Sequence, residues 1–217
     1  MERMARILIF GGHGRVALLT AAVLTQGGDS VTAVIRNPDH RRDVSDAGAE
    51  PLVLDLEAAE VADLAAAIRG HDAVIWSAGA GGGDARRTAA VDHAAALRSM
   101  AAATAAEVSR YVMVSYFRSG ADDAVPAGDP FRPYADAKAA ADDALRATAL
   151  DWTVLGPSRL TDDAPIGRID VASAASTTVA RGDVAAVIAT SLRAPATFRR
   201  TIRFNTGATP IPEALGV

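Results

Sequence analysis

Short apolar runs rich in Val, Ile and Leu alternate along the chain with longer, alanine-rich stretches of helical periodicity. The early apolar runs contain almost no polar residues, which is typical of strands with helices on both faces. The apolar runs predict strands over residues 6–10, 30–35, 51–54, 73–76, 111–114, 152–155 and 201–204. The stretches between them predict helices over residues 15–26, 38–47, 57–69, 84–107, 132–149 and 183–192.

This alternation of strands and helices predicts the fold class. It favours an α/β fold with a doubly wound, mostly parallel Rossmann-type sheet and helices on both faces. We expect residues 1–217 to form a single domain. Two helix ends carry signals: Asp183 is expected to cap the helix that begins there, and Gly27-Gly28 to end the first helix.

Two stretches, residues 119–130 and 158–176, are irregular and rich in Gly, Pro, Asp or Ser. Ligands of open α/β sheets bind beyond the carboxyl ends of the strands, where such loops lie. The stretches therefore either form the walls of a small substrate pocket, from loops around residues 116–133 and 157–180, or are solvent-exposed connections.

Composition narrows the class of protein further. Half of the 217 residues are hydrophobic and 22% are charged, which is typical of a folded globular chain. The net charge of −4 argues against a nucleic-acid partner. No apolar run approaches the roughly 20 residues of a membrane span, so we expect no membrane partner. We expect a cytoplasmic protein that binds a small-molecule substrate, as a monomer or weak homo-oligomer.

Several kinds of chemistry lack their sequence signals. The chain has no cysteine, so it has no disulfide, thiolate nucleophile or cysteine-bound metal. Its four histidines are scattered without metal-ligand spacing, and we expect no metal. The Gly-x-Ser-x-Gly elbow of hydrolases and the Gly-Lys-Ser/Thr end of a phosphate loop are both absent.

A glycine-rich turn follows the first predicted strand. The spacing Gly-x-x-Gly-x-x-Ala, from Gly11 to Ala17, is a variant of the dinucleotide-binding pattern, and it stands between a strand and a helix as that pattern requires. Gly11 permits the sharp turn, Gly14 lets the backbone approach a pyrophosphate, and the helix N-terminus attracts the phosphates. The expected cofactor-binding residues of this turn are Gly11, Gly12, His13, Gly14, Arg15 and Val16.

The end of the second strand indicates which dinucleotide binds. NAD-specific sites usually place Asp or Glu there to hold the ribose hydroxyls. This chain has Arg36, and Arg15 lies in the glycine turn. A guanidinium group binds a 2′-phosphate with charge-assisted hydrogen bonds, so the sequence favours NADP(H) over NAD(H).

Other cofactor contacts are expected after the third, fourth and sixth strands. Asp55 either accepts a hydrogen bond from the adenine amino group or caps the next helix. The small residues Ser77, Ala78 and Gly79, with Gly81-Gly82-Gly83 beyond them, let ribose or phosphate lie against the backbone. Leu56 and Pro157 complete the expected cofactor-binding set.

A candidate catalytic pair opens the helix predicted over residues 132–149. Tyr134 and Lys138 are four residues apart and therefore share one face of that helix. A nearby ammonium group stabilises phenolate, and we expect Lys138 to lower the pKa of Tyr134 for proton exchange with a carbonyl and to hold the nicotinamide ribose. Lys138 is the only lysine in the chain. Ser115, at the end of the fifth strand, is a candidate hydrogen-bond partner for the substrate carbonyl.

With these motifs the chain resembles the short-chain dehydrogenase/reductase superfamily. It is most similar to the atypical branch of small NAD(P)H-binding, NmrA-like and epimerase-like proteins. The likeness also includes Arg36-Asn37-Pro38, residues 53–56, Asp92, and residues 110–115, 150–157, 160–162 and 209–215. The resemblance implies a Rossmann-type sheet, a bound NADP(H) and a Ser-Tyr-Lys set in active members.

Two positions depart from the pattern of this branch. Many relatives have a second serine after strand five, where this chain has Tyr116. Relatives often have Arg-Pro-Gly after strand six, where this chain has Gly156-Pro157-Ser158, with Arg159 close by.

The resulting hypotheses come from different classes of protein. The first is an NADP(H)-dependent reductase of a small carbonyl, quinone or similar acceptor. The second is a redox-sensing regulator that binds NAD(P)H without chemistry. The third, disfavoured by the length of the chain, is an epimerase or dehydratase that retains its cofactor.

Overall fold

The computed structural model describes residues 4–80, 84–119, 125–126 and 128–217, and within them nine strands form one sheet. Seven of these strands run parallel: β1 (Arg6–Phe10), β2 (Ser30–Ile35), β3 (Glu50–Val53), β4 (Ala73–Trp76), β5 (Arg110–Val114), β6 (Asp151–Pro157) and β10 (Arg200–Thr206). Two short strands, β8 (Arg168–Asp170) and β11 (Thr209–Pro210), extend the edge in antiparallel orientation. The order is β3-β2-β1-β4-β5-β6-β10-β8-β11, and it reverses between β1 and β4.

Helices connect these strands and cover the sheet. The α-helices are α1 (Arg15–Gln26), α2 (Arg41–Asp46), α3 (Val61–Ile68), α4 (Ala85–Thr88), α5 (Ala96–Ala105), α6 (Arg132–Arg146), α7 (Arg181–Arg193) and α8 (Ile211–Ala214). Short 3₁₀ helices span Pro38–His40 and Pro195–Thr197, and a π-helical segment, Ala89–Ala95, joins α4 to α5. Among the described residues, no helix combines the length and apolarity needed to cross a bilayer.

The central strand β1 shows why both faces of the sheet are apolar. Ile7 and Ile9 pack in a core with side chains of α1 and α7, whereas Leu8 and Phe10 pack in a second core with α3, α5 and α6. Side chains alternate between the two faces of a strand, so a strand between two helical layers must be apolar throughout. The predicted doubly wound α/β fold is confirmed.

Two predicted helix boundaries have different outcomes. Gly27 caps the C-terminus of α1 and Gly28 follows with φ of +90°, so the predicted stop is confirmed. The prediction that Asp183 caps a helix is wrong, because α7 already begins at Arg181. The buried carboxylate of Asp183 instead accepts hydrogen bonds from the amides of Ile166 (3.1 Å) and Gly167 (2.7 Å).

The irregular stretch 158–176 contains regular structure that the sequence did not indicate. β7 (Arg159–Thr161) lies in this stretch and pairs in parallel with β9 (Thr178–Ala180), apart from the main sheet. This small sheet follows β6 and precedes α7, and it holds residues 159–161 beside the carboxyl end of the main sheet.

Candidate nucleotide and substrate site

The turn after β1 packs against both neighbouring strands at distances that exclude a side chain. Gly11 has φ of +80°, and a Cβ atom there would lie 2.5 Å from the Cα atom of Ala78. At Gly12 a Cβ atom would lie 2.6 Å from the Cβ of Ala33, and its amide donates a hydrogen bond to Val34 O (2.8 Å). The turn therefore requires glycine at both positions. These close contacts fix the direction in which α1 leaves the end of the sheet.

The N-terminus of α1 faces the space above this turn. Gly14 is the N-cap residue in extended conformation, and Arg15 and Val16 begin the helix. The first-turn amides of a helix have no acceptor within the helix, and this first turn contains no acidic side chain to neutralise them. This end of α1 is therefore suited to a phosphate.

Two cavities meet at the turn. The smaller, of about 320 Å³, lies over the ends of β2 and β3, and the larger, of about 820 Å³, lies over the ends of β5 and β6. Both are lined by Gly14, Ser77, Ala78 and Gly79, so together they form one trough across the switch in strand order. A dinucleotide, with two nucleosides joined by a pyrophosphate, fits a trough that is divided at a helix N-terminus.

The smaller cavity contains an ion-pair cluster at the expected adenosine end. Arg36 donates to Glu57 Oε1 (2.9 Å), and Arg87 Nε lies 3.2 Å from the same oxygen. Two cations therefore share one carboxylate, so these three side chains together carry one positive charge. The sequence did not indicate Glu57 or Arg87, because their meeting with Arg36 depends on the approach of two loops.

Asp55 and Leu56 also line this cavity. The carboxylate of Asp55 accepts a hydrogen bond from the amide of Glu57 (3.0 Å), and Glu60, not Asp55, is the N-cap of α3. Of the two alternatives for Asp55, the helix cap is therefore wrong, because the chain makes a turn before α3 begins.

A stacked histidine pair completes the wall of the smaller cavity. The rings of His13 and His40 have centroids 3.5 Å apart and an interplanar angle of 12°. His13 Nε2 lies 2.8 Å from Asp43 Oδ2. His13 was expected from its place in the glycine turn, whereas His40 was not. Among the described residues, no three histidine or acidic side chains gather to hold a metal ion.

In the larger cavity the structure brings Tyr134 and Lys138 together with the glycine turn. Both lie on α6 and line the cavity, as does Pro157 at the end of β6. Lys138 is buried and donates to Val114 O (2.8 Å). It also faces Asp92, a buried carboxylate on the π-helical segment that accepts a hydrogen bond from the amide of Ala80 (2.9 Å).

The electrostatic surroundings of Tyr134 differ from the expectation. Burial raises the pKa of Tyr134, and the carboxylates of Asp92 and Asp142 raise it further, as does Tyr116. The expectation that Lys138 lowers this pKa is wrong for this arrangement, because Lys138 Nζ is held at Val114 O and faces Asp92. The phenol of Tyr134 therefore stays protonated throughout the physiological range.

Ser115 lines the same cavity, but its hydroxyl is engaged elsewhere. It donates to Asp142 Oδ2 (2.6 Å), and the hydroxyl of Ser119 donates to the same oxygen (2.5 Å). Asp142 lies on α6, four residues after Lys138, and is fully buried. Asp142 was not among the residues expected at the site. Its spacing of four residues from Lys138 nevertheless places it on the same helix face as Tyr134 and Lys138.

Other lining residues of the larger cavity were also missed. Tyr116, Phe131 and Tyr134 form an aromatic cluster with ring centroids 5.1–5.7 Å apart. The hydroxyl of Ser158 is buried in the cavity wall and makes no hydrogen bond to a described residue.

The second irregular stretch contributes to this cavity, whereas the described residues of the first stretch do not line it and only its flanking residues do. Residues 158–160 and Ser176 line it, as do Phe117 and Arg118 before the first stretch and Phe131 after it. Residues 120–124 and 127 of the first stretch and Gly81-Gly82-Gly83 lie outside the described part of the chain.

The chain is similar to proteins of one family. A family model described as NAD(P)H-binding matches residues 11–195. A Bacillus subtilis (strain 168) protein named "Uncharacterized sugar epimerase YhfK" is 30% identical, and the match covers 97% of this chain and 98% of that protein.

Solved structures agree with this match over nearly the whole length. An NAD-dependent epimerase/dehydratase-like protein from Bacillus halodurans has a TM-score of 0.90 at 29% identity, covering 98% of this chain and 99% of that one. The oxidoreductase ylbE from Lactococcus lactis has a TM-score of 0.87 at 29% identity, covering 97% of this chain and 95% of that one.

Two glycine-to-alanine variants, one in the turn and one outside it, test whether the packing of the turn shapes the nucleotide site. Gly11→Ala and Gly28→Ala both place a Cβ atom on a residue with positive φ, but only the first meets backbone, since nothing lies within 4 Å of a Cβ at Gly28. We expect Gly28→Ala to lower the free energy of unfolding by about 1 kcal/mol, the cost of that conformation, and to leave nucleotide binding unchanged. Gly11→Ala should be more destabilising and should weaken nucleotide binding by about tenfold or more, since the turn must shift.

Thermal unfolding and fluorescence titration with NADPH measure the two effects. Equal nucleotide affinity in Gly11→Ala and Gly28→Ala would show that the packing of the turn does not shape the binding site.

Proposed function

The chain belongs to the NAD(P)H-binding family, and from this premise we propose that it is an NADP(H)-dependent oxidoreductase that reduces a small carbonyl or quinone compound. The observation that carries this proposal is the position of a protonated phenol, Tyr134, in the cavity that adjoins the glycine turn. The names of similar proteins include both epimerases and an oxidoreductase, so the choice rests on the chemistry of the cavity.

The residues of the trough fit a dinucleotide. Gly11, Gly12, Gly14 and the first amides of α1 would hold the pyrophosphate, with Arg15 and Val16 at the helix start. The adenosine end would contact His13, Arg36, Asp55 and Leu56, whereas Ser77, Ala78, Gly79 and Pro157 would lie along the ribose and nicotinamide. When bound, NADPH supplies a hydride to the acceptor carbon and becomes NADP⁺.

Tyr134 supports reduction in preference to proton abstraction. A phenol with a raised pKa donates a proton readily only to an oxygen that gains negative charge, as a carbonyl oxygen does when its carbon receives hydride. Tyr134 then recovers its proton from solvent. An epimerase or dehydratase that begins with removal of a proton needs a base, and the carboxylates of Asp92 and Asp142 oppose formation of phenolate here.

Lys138 and Ser115 have supporting roles in the proposal. Lys138 places an ammonium group between the end of β5 and Asp92, where it would hold the nicotinamide ribose. Ser115 would orient the substrate carbonyl beside Tyr134. Because its hydroxyl proton is directed to Asp142, a carbonyl must compete with this carboxylate for it.

The engagement of Ser115 by Asp142 favours a second candidate function. A protein of this fold whose serine does not bind substrate would bind NAD(P)H and act as a redox-sensing regulator. Its affinity for a protein partner would then differ between NADP⁺ and NADPH, because a ligand shifts a protein between states only through differential binding. Tight NADPH binding without turnover of any acceptor would favour this candidate.

Replacing Tyr134 tests the proposed proton donor. We expect Tyr134→Phe to lower kcat for reduction of carbonyl and quinone acceptors by at least about 100-fold, because general acid catalysis typically contributes that much. NADPH affinity should be nearly unchanged. The matched control is Tyr111→Phe, since Tyr111 is buried on β5 and its hydroxyl contacts Ser99 (2.7 Å) away from the cavity. Unchanged turnover in Tyr134→Phe would remove this residue from the mechanism.

The raised pKa of Tyr134 predicts how kcat/KM for reduction depends on pH. A proton donor acts below its pKa, so kcat/KM for reduction should not fall between about pH 6 and the ordinary tyrosine pKa of about 10. Steady-state rates at saturating NADPH measure this profile. A fall with a midpoint near about pH 7 would indicate a proton donor with a much lower pKa than that of Tyr134.

Variants of Arg36 and Glu57 test whether the protein prefers NADPH or NADH. If Arg36 binds the 2′-phosphate, Arg36→Ala should weaken NADPH binding about tenfold or more, the effect of a charge-assisted hydrogen bond, without affecting NADH. Glu57→Gln should strengthen NADPH binding, because it removes a competing carboxylate. Arg42→Ala is the control, since Arg42 is an exposed arginine paired with Asp46 on α2.

Fluorescence titration of each variant with both nucleotides gives the affinities. An Arg36→Ala variant with unchanged NADPH affinity, together with a Glu57→Gln variant that loses NADH, would assign Glu57 to the ribose hydroxyls and the site to NAD(H).

A further inference from the structure

The larger cavity has a positive wall in a protein of net negative charge. Among the residues that the structure describes, Arg15, Arg118, Lys138, Arg159 and Arg181 line it, and Asp92 is the one acidic residue that lines it with them. The chain as a whole has a net charge of −4. A concentration of cations in a cleft raises the local concentration of anions, so this wall selects for the charge of what binds there.

Carboxylates of the protein neutralise part of this wall. Asp162 accepts hydrogen bonds from both Arg15 and Arg181. Asp92 faces the ammonium group of Lys138. Arg15, Arg181 and Lys138 thus carry three positive charges against two carboxylates, and the one charge that remains is accounted for by the pyrophosphate expected near Arg15.

Arg159 differs from these cations. It is the first residue of β7, its side chain is exposed at the cavity, and it pairs with no carboxylate among the described residues. The small sheet of β7 and β9 holds its backbone opposite Thr178. Its guanidinium group has a planar arrangement of donors that matches a carboxylate, sulfonate or phosphate.

The place of Arg159 in the trough separates it from the adenosine end of the cofactor. Gly14, Ser77, Ala78 and Gly79 line both cavities and mark the path between them, whereas Arg159 lines only the larger one. The same holds for the aromatic cluster of Tyr116, Phe131 and Tyr134, whose rings lie 5.1–5.7 Å apart.

The aromatic cluster offers a surface for a flat molecule. Phe131 is 44% exposed, a large fraction for a phenyl ring that already packs against two other rings. Aromatic rings stack favourably on other conjugated systems, and an exposed ring at a cavity is a contact that a ligand can bury. Tyr134, the proposed proton donor, belongs to this cluster, so a stacked ligand lies next to the phenol.

We propose that the substrate is a planar, conjugated carbonyl compound that carries an acidic group, that Arg159 binds this group, and that the conjugated part stacks on Tyr116 and Phe131 beside Tyr134. This inference rests on the proposed reductase function and specifies its substrate class. It also predicts that the enzyme distinguishes substrates with the acidic group from those without it, because a substrate without this group leaves Arg159 without its partner.

A matched pair of fused-ring aldehydes tests the proposal. 6-Formyl-2-naphthoate carries a carboxylate that 2-naphthaldehyde lacks. With the wild-type protein and NADPH, we expect kcat/KM to be about tenfold higher for the charged aldehyde, the effect of one exposed charge-assisted hydrogen bond. Arg159→Gln should abolish this preference by raising KM for the charged aldehyde alone, and Arg159→Lys should retain most of it. Arg69→Gln is the control, since Arg69 is exposed at the end of α3, just before the amino end of β4 and thus at the opposite end of the strands from the cavity.

A binding measurement makes the outcome independent of turnover. Calorimetry with 6-hydroxymethyl-2-naphthoate and NADP⁺-loaded protein should show affinity that falls about tenfold in Arg159→Gln but not in Arg69→Gln. If wild type and Arg159→Gln each reduce the two aldehydes with equal kcat/KM, the inference is overturned and the reductase proposal stands. Binding that depends on Arg159 without turnover would support the anion site and contradict the reductase. A loss of NADPH affinity in Arg159→Gln would assign this arginine to the cofactor and overturn the inference.

Discussion

The site depends on the close packing of the turn after β1 against β2 and β4. Gly12 lies against Ala33 of β2, and Gly11 lies against Ala78, which follows β4. Parallel strands place their carboxyl ends at one edge of the sheet, and this contact draws the start of α1 over that edge. A side chain at either glycine would separate α1 from the sheet and remove the helix terminus from the junction of the two cavities.

The second determinant of the site is α6, which carries polar groups on one face along three successive turns. Tyr134, Lys138 and Asp142 follow one another at intervals of four residues, while Ala141 and Leu145 anchor the helix in the core shared with α3 and α5. The intervals give the three groups one side of the helix. Their environments then separate their roles, because Lys138 bonds to the carbonyl of Val114, whereas Asp142 accepts two serine hydroxyls.

The fold was predictable from the sequence because its signals are local, whereas much of the site depends on contacts between distant residues. Strand β1 and helix α1 agree with prediction because an apolar run and a glycine turn suffice to specify them. The segment predicted as one helix over residues 84–107 contains a π-helical part, Ala89–Ala95, which no breaker residue marks. Asp92 lies in this part and bonds to Ala80, a partner that local propensity does not reveal. The pKa of Tyr134 was misjudged for the same reason, since the carboxylates around it come from other turns and elements.

The single lysine of an arginine-rich chain is explained by the space it occupies. Lys138 is 1% exposed, and its ammonium group lies 2.8 Å from Val114 O and 3.9 Å from the sulfur of Met113, with Asp92 nearby. An ammonium group has three donors on a compact centre, whereas a guanidinium group has five on a wide plane. Arginine would therefore bring more donors into this buried position than these neighbours can accept, and each unmade hydrogen bond would cost about 1–3 kcal/mol. The exposed positions of the cavity, such as Arg159, lack this restriction, and there the chain uses arginine.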